Sequence, residues 1–231
     1  MKSSAEFYTE KLYPLQDGVL KIVRDLGLPF YLTGGTALSR HYLHHRFSDD
    51  IDLFVNSDDK YSMYVDQLIT HVSDKRTPSE LEMLQTNIVV TAHYARFFVA
   101  GYGTELKVDL VNDVRYHFGE FEIDNTLGKL DAWRNILSNK VAALFRFEAK
   151  DYVDVWALSR KFDFNWDDIL NEARYKEASV DPGEVSNLFR SFPFEYLISI
   201  NWIEGLDYSN IKEEFAAISE DIFYGRPNGL K

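Results

Sequence analysis

The chain of 231 residues contains no cysteine, which excludes disulfides, thiolate zinc sites and cysteine nucleophiles. Positive charge is also short: 25 Lys and Arg against 37 Asp and Glu leave a formal net charge of −12. No overall basic footprint exists to hold a nucleic acid by its phosphates, so any such contact must use a local patch. No apolar run approaches the roughly 18 residues of a membrane span, and the opening "MKSSAEFYTEKLY" has no apolar stretch of signal-peptide type. The expectation is a cytoplasmic protein with no membrane contact. What is present is 45% apolar residues, enough for one large domain or two small lobes.

Leu15, Val19, Ile22, Val23 and Leu26 recur at helical spacing, and Gly27 follows where a helix would stop. "PFYLTGG" reads as a short buried strand running into a glycine turn, "TALSRHYLHH" as a helix with Thr36 near its start, and "DIDLFV" as a second strand. Residues 61–74 have the pattern of a surface helix. Three strand-like runs follow, "LEMLQTNIVV", "ARFFVAGYG" and "ELKVDLVND", with Gly101 and Gly103 marking one turn. Beyond about residue 130, leucines, aromatics and alanines recur every three or four positions, broken by polar clusters and by Pro182 and Pro193. The expected organisation is an α/β lobe over residues 1–125 followed by an α-helical lobe over 126–231.

On a strand, side chains alternate between faces, so in "DIDLFV" Asp50 and Asp52 point one way while Ile51 and Leu53 enter the core. Two carboxylates held that close repel each other, and a cation is the usual remedy. Hard oxygen ligands without histidine or thiolate suit Mg²⁺ or Mn²⁺ better than zinc. In "ELKVDLV", Lys107 and Asp109 share the face opposite Leu106, Val108 and Leu110. If this strand lies beside the first, Asp109 joins Asp50 and Asp52, and three carboxylates could hold two divalent ions of the kind used in nucleotidyl transfer. The Asp-x-Asp pair alone is far more often what a solvated strand end or a loop presents.

Gly34 and Gly35, between a strand and a helix, let the backbone approach a ligand and aim unpaired N–H groups at an anion such as the phosphates of a nucleotide. Thr36 adds a hydroxyl donor. The pattern is neither Gly-x4-Gly-Lys-Ser/Thr nor Gly-x-Gly-x-x-Gly, and the glycines alone also fit a plain tight turn.

Glycine pair, helix and Asp-x-Asp strand together resemble the signature of the polymerase β-like nucleotidyltransferase superfamily. "GGTALSRHYLHHRFSDDIDLFV" is similar to one branch of it, the AbiEii/AbiGii-type nucleotidyltransferase toxins of abortive-infection and type IV toxin–antitoxin systems. The Gly-Gly-Thr-Ala-Leu start, His45-Arg46, Ser48 and Asp50-Ile-Asp52-Leu-Phe carry the match. A second segment, "NILSNKVAALFRFEAKDYVDVWAL", offers Lys140, Lys150, Asp151 and Asp154 where the family has a lysine and then a Lys-Asp-x-x-Asp type stretch. After about residue 165 the resemblance ends.

The resemblance implies an α+β fold: a mixed sheet flanked by helices, then a helical lobe. It implies an NTP co-substrate, Mg²⁺ or Mn²⁺ on Asp50, Asp52 and Asp109, and catalytic work by those residues with Lys140 and Asp151. Gly34, Gly35, Thr36, Arg46, Ser48 and Lys140 would meet the nucleotide, Lys140 balancing the triphosphate, although Arg46 and Ser48 fit a loop-pinning role as well. An RNA acceptor is implied, the tRNA 3′ end first, with a cognate antitoxin acting without a stable complex. The alternatives are a small-molecule acceptor of aminoglycoside type, a protein acceptor, or a nucleotide-binding protein without turnover. His41 and His45 have the i, i+4 spacing of a metal pair but lack HExxH and a third ligand, so packing or surface roles are favoured. Arg134, Lys140, Arg146 and Lys150 read either as a local basic strip or as ordinary surface charge.

Overall fold

The computed structural model describes residues 4–74, 81–205 and 207–231. Two compact units result, one from Met1–Ala37, Phe47–Arg115 and Glu120–Asp131, the other from Leu38–Arg46, Tyr116–Gly119 and Ala132–Lys231. Leu38–Arg46 and Tyr116–Gly119 thus belong with the helical unit although the chain on either side of each belongs to the sheet unit.

The sheet unit begins with a helical stretch, α1 (Ser4–Phe7), a π-helical turn at Tyr8–Leu12 and α2 (Tyr13–Asp25). Pro14 follows directly on the π-helical turn of this stretch, and Leu15, Val19, Leu20 and Val23 are buried. β1 (Tyr31–Thr33) leads straight into α3 (Gly34–Ala37), so the two glycines open the helix where a turn ahead of it was expected; a π-turn at Leu38–Tyr42 follows. β2 (Ile51–Asn56) buries Ile51, Leu53 and Val55 and alternates with half-buried Asp52, Phe54 and Asn56. α4 (Tyr61–Ser73) buries Tyr61, Val65, Leu68 and Val72.

β3 (Glu82–Val90), β4 (Tyr94–Gly101), β5 (Thr104–Asp113), β6 (Glu122–Asp124) and β7 (Gly128–Leu130) complete a sheet ordered β3-β4-β5-β2-β1-β7-β6. The β2–β5 and β1–β7 pairs are parallel and the others antiparallel, which makes the sheet mixed. β2 therefore lies centrally, flanked by β5 and β1.

The helical unit contains α5 (Trp133–Ala143), α6 (Ala149–Lys161), α7 (Trp166–Arg174), α8 (Pro182–Arg190) and α9 (Ile211–Tyr224). Asn165 caps α7 and Asp181 caps α8 by accepting backbone N–H bonds, with Pro182 in the first turn of α8. Trp156, Trp166, Phe189 and Phe215 fill its core. Among the described residues no helix is long and apolar enough to cross a membrane.

Candidate active site

Strand register gathers the acidic residues of the sheet unit. Arg96 on β4 lies opposite Asp109 on β5, Asp109 is paired with Asp52 on β2, and Asp52 faces Thr33 on β1. Paired residues share a face, so these four form one row across the sheet, and Lys107, two residues before Asp109, lies on the same face beside Phe98. Lys107 Nζ is 2.7 Å from Asp50 Oδ2 and 3.5 Å from Asp109 Oδ2. Arg96 closes a fork on Asp109, Nε to Oδ1 at 2.7 Å and the NH2 nitrogen to Oδ2 at 3.0 Å, while the Tyr94 hydroxyl donates to Oδ1 at 2.9 Å. Burial by itself would raise the Asp109 carboxyl; the Arg96 bonds, the Lys107 charge and the Tyr94 hydroxyl outweigh it and hold the group below the usual carboxylate range.

Gly34 holds φ at +68°, and a Cβ placed there would overlap the Asp52 carboxylate. The backbone of α3 and Asp52 are therefore in close contact that only glycine permits. Gly35 and Thr36 are buried, and the Thr36 hydroxyl donates to the Asp50 carbonyl, fixing the residue ahead of β2. The Ser48 carbonyl accepts from Gln16 Nε2 at 3.2 Å, and Asp49 accepts the Tyr8 hydroxyl. Phe7, Leu12, Asp49, Asp50, Phe98, Glu105 and Lys107 line a cavity of about 320 Å³.

In the helical unit a second charged cluster is buried. Lys140 Nζ lies 2.7 Å from Asp151 Oδ1 and 2.7 Å from Asp154 Oδ2. Arg46 forks onto Asp154 at 2.7 and 2.8 Å, His45 Nε2 is 2.8 Å from Asp154 Oδ1, and Arg146 reaches Asp151 at 3.0 Å. Asp151 and Asp154 lie three residues apart on one face of α6. Burial would discharge Lys140, but Asp154 and Asp151 keep its pKa above the ordinary lysine value. Arg134 pairs with Glu172 at 2.6 Å, so the proposed basic strip is interrupted by partners.

The family profile described as nucleotidyl transferase AbiEii toxin, type IV TA system, matches residues 21–228. The chain belongs to this family. It is a nucleotidyltransferase of the toxin side of type IV toxin–antitoxin systems, which implies an NTP substrate and an antitoxin. No curated protein sequence matches it. Among solved structures, an H. pylori protein classed as a nucleotidyltransferase aligns over 96% of both chains with a TM-score of 0.64 at 18% identity. JHP933 from Helicobacter pylori covers 97% of this chain and 94% of its own at 0.62 and 19%. MenT4, a nucleotidyltransferase toxin from Mycobacterium tuberculosis, covers 92% of this chain and 82% of its own at 0.58 and 14%. These likenesses give the AbiEii chain its fold.

Hard carboxylate oxygens at Asp50 and Asp52 suit a divalent cation. Among the described residues, however, no group of three or more His, Cys, Asp or Glu is placed to hold a metal ion. Asp109 stands beside Asp52 but is turned to Arg96. Tyr94, Arg96 and the role of Lys107 escaped the sequence reading. So did the joining of His45 and Arg46 to Asp154, for which no local pattern exists across more than 100 residues.

Proposed function

We propose that this AbiEii enzyme moves an NMP from an NTP to a hydroxyl of RNA, with the tRNA 3′ end as first choice, in the cytoplasm, as a toxin whose antitoxin forms no stable complex with it. The acceptor oxygen attacks the α-phosphorus, the bond to the bridging oxygen breaks, pyrophosphate leaves, and the hydroxyl proton is released. The carrying observation is Asp52 seated against Gly34 at the centre of the sheet, with Asp50 anchored beside it through Thr36. Asp50 and Asp52 are the residues that would hold Mg²⁺ or Mn²⁺, which supplies charge stabilisation at the transferred phosphoryl group. Asp50, a third exposed, has Lys107 on its Oδ2 and no other ion-pair partner among the described residues. Gly34 and Gly35 bring backbone close to the phosphates, and Ser48 sits in the segment leading to β2. The resemblance gives Lys140 the triphosphate's charge; Asp154 and Asp151 keep its ammonium charged and fixed, and take two of its three donors.

The acidic cavity favours a second reading. Asp49, Asp50 and Glu105 against Lys107 suit a cationic small molecule, as an aminoglycoside-type acceptor would be. Transfer of label from each of four α-labelled NTPs, with Mg²⁺ or Mn²⁺, to total bacterial RNA decides between them, run beside an Asp50→Asn, Asp52→Asn double variant. Label in a tRNA-sized band with wild type alone establishes the RNA reading. Label on an aminoglycoside or a protein and none on RNA selects those acceptors. Failure to bind any NTP in the presence of metal removes the catalytic reading.

A further inference from the structure

We infer that Arg96 is a phosphate-binding residue of this active site and that Asp109 is its positioning residue, the carboxylate serving the arginine and not a metal. The inference rests on the nucleotidyl-transfer reading above and adds to it a ligand-binding residue on β4.

An ionised carboxylate offers about four lone-pair directions. Asp109 accepts three hydrogen bonds, from Nε and NH2 of Arg96 and from the Tyr94 hydroxyl, and Lys107 adds its charge at 3.5 Å. A metal ion approaching Asp109 meets the Lys107 ammonium and the Arg96 guanidinium, and to take more than the one remaining direction it must break the Tyr94 bond or a bidentate, charge-assisted pair. Asp109 is also mostly buried, its side chain 10% exposed, whereas Asp50 on the same face is 33% exposed.

Arg96 has the complementary imbalance. A guanidinium carries five N–H donors in a rigid fork; two are used on Asp109, so three remain. No further hydrogen bond or ion pair occupies them among the described residues, and the side chain is 38% exposed. Asp109 fixes the plane of the fork, so little side-chain freedom is left to lose when an oxyanion docks. Its place in the row Arg96, Asp109, Asp52 puts this preset donor group on the same sheet face as the acidic pair that the reaction needs. The ligand matched by such a fork is a phosphate oxyanion, from the NTP or from the RNA backbone.

The test uses the full chain as wild type, Arg96→Met, Arg96→Lys and Asp109→Asn, each checked for wild-type circular dichroism. Pyrophosphate is titrated in metal-free buffer, NTP is titrated with Mg²⁺, and Mg²⁺ ions bound per chain are counted. Loss of the fork in Arg96→Met is expected to weaken pyrophosphate and NTP binding about tenfold or more. Arg96→Lys, which keeps charge but not the fork, is expected to fall between. Asp109→Asn is expected to weaken the same two affinities and leave the Mg²⁺ count unchanged. If Arg96→Met leaves NTP and pyrophosphate affinity intact but raises KM for RNA about tenfold, the phosphate belongs to the acceptor and the assignment of Arg96 holds. If all phosphate affinities survive Arg96→Met, or Asp109→Asn lowers the Mg²⁺ count, the inference is overturned. Should wild type bind pyrophosphate through Arg96 but no NTP, the transfer reading fails while the anion site stands.

Discussion

Gly27 and Gly34 both hold positive φ, +62° and +68°, but only Gly34 faces another group where a Cβ would go. Nothing lies within 4 Å of the Cβ direction at Gly27, whereas at Gly34 the Asp52 carboxylate fills it. Gly27→Ala therefore meets only the conformational penalty of a side chain in the left-handed region, about 1 kcal/mol. Gly34→Ala meets the same penalty and must also displace Asp52, so its stability loss is expected to exceed that of Gly27→Ala by about 1–3 kcal/mol. Urea unfolding followed by far-ultraviolet circular dichroism measures both. NTP titration adds the functional half: Gly27→Ala binds as wild type and Gly34→Ala does not. Equal losses in the two variants would remove the close contact from the argument. The glycine itself was legible in the sequence because few other residues suit a strand-to-helix junction at which a carboxylate crowds the backbone. The task of Thr36 was not legible, since a hydroxyl at that place can serve a phosphate or, as here, the Asp50 carbonyl.

Between elements, the two buried aspartates of α6 tie to Lys140 on α5, while Arg46 and His45, from the segment Leu38–Arg46, close on Asp154. Removing one cation from such a cluster leaves buried negative charge without its partner, a loss of roughly 3–5 kcal/mol. Lys140→Met is expected to cost this much in the helical unit. Adding Asp151→Leu to it is expected to recover part of the loss, because Asp151 would otherwise keep only the largely exposed Arg146 as its charge partner. All four tryptophans, Trp133, Trp156, Trp166 and Trp202, belong to that unit, so tryptophan fluorescence in urea reports it alone; strict additivity of the two changes would show that the pair is uncoupled. Element by element, the sequence made the alternating strands and the helical repeat visible and gave β2 and β5 one acidic face each, but the parallel direction of their pairing came only from the fold. Arg96 was within reach too. A tight turn at Tyr102 and Gly103 closes Gly101 against Thr104, and counting back along both strands sets Arg96 against Asp109. The helical cluster had no such ruler, because residue 46 and residue 154 are joined only by the folded chain.

For the molecule as a whole, a net charge of −12 predicts that an RNA acceptor of the kind proposed above is held through few phosphates, with a shallow dependence of affinity on salt. The side of neutrality on which folding is exposed is set by a buried cluster and not by this net charge. His45 is buried with Nε2 on Asp154 and with Nδ1 unpartnered among the described residues, so protonation would place a charged donor where no acceptor waits. Burial lowers its pKa below the ordinary 6.5; the Asp154 bond and charge pull the other way, and Arg46 and Lys140 add to the lowering. In the unfolded chain the same imidazole takes up a proton near 6.5. The unfolded state therefore binds more protons below that pH, and folding stability is full above about 6.5 and declines as pH falls. A second decline begins below about 3.8, where Asp154, held well under its ordinary value despite burial by Arg46, Lys140 and His45, is protonated only in the unfolded chain. Urea midpoints read by tryptophan fluorescence at pH 7.5, 6.0 and 5.0 are expected to drop stepwise in wild type. His45→Gln keeps a donor for Asp154 and cannot titrate, so its midpoints should change less over that range, even from a lower starting stability. An equal slope in both proteins would assign the acid sensitivity to groups outside this cluster.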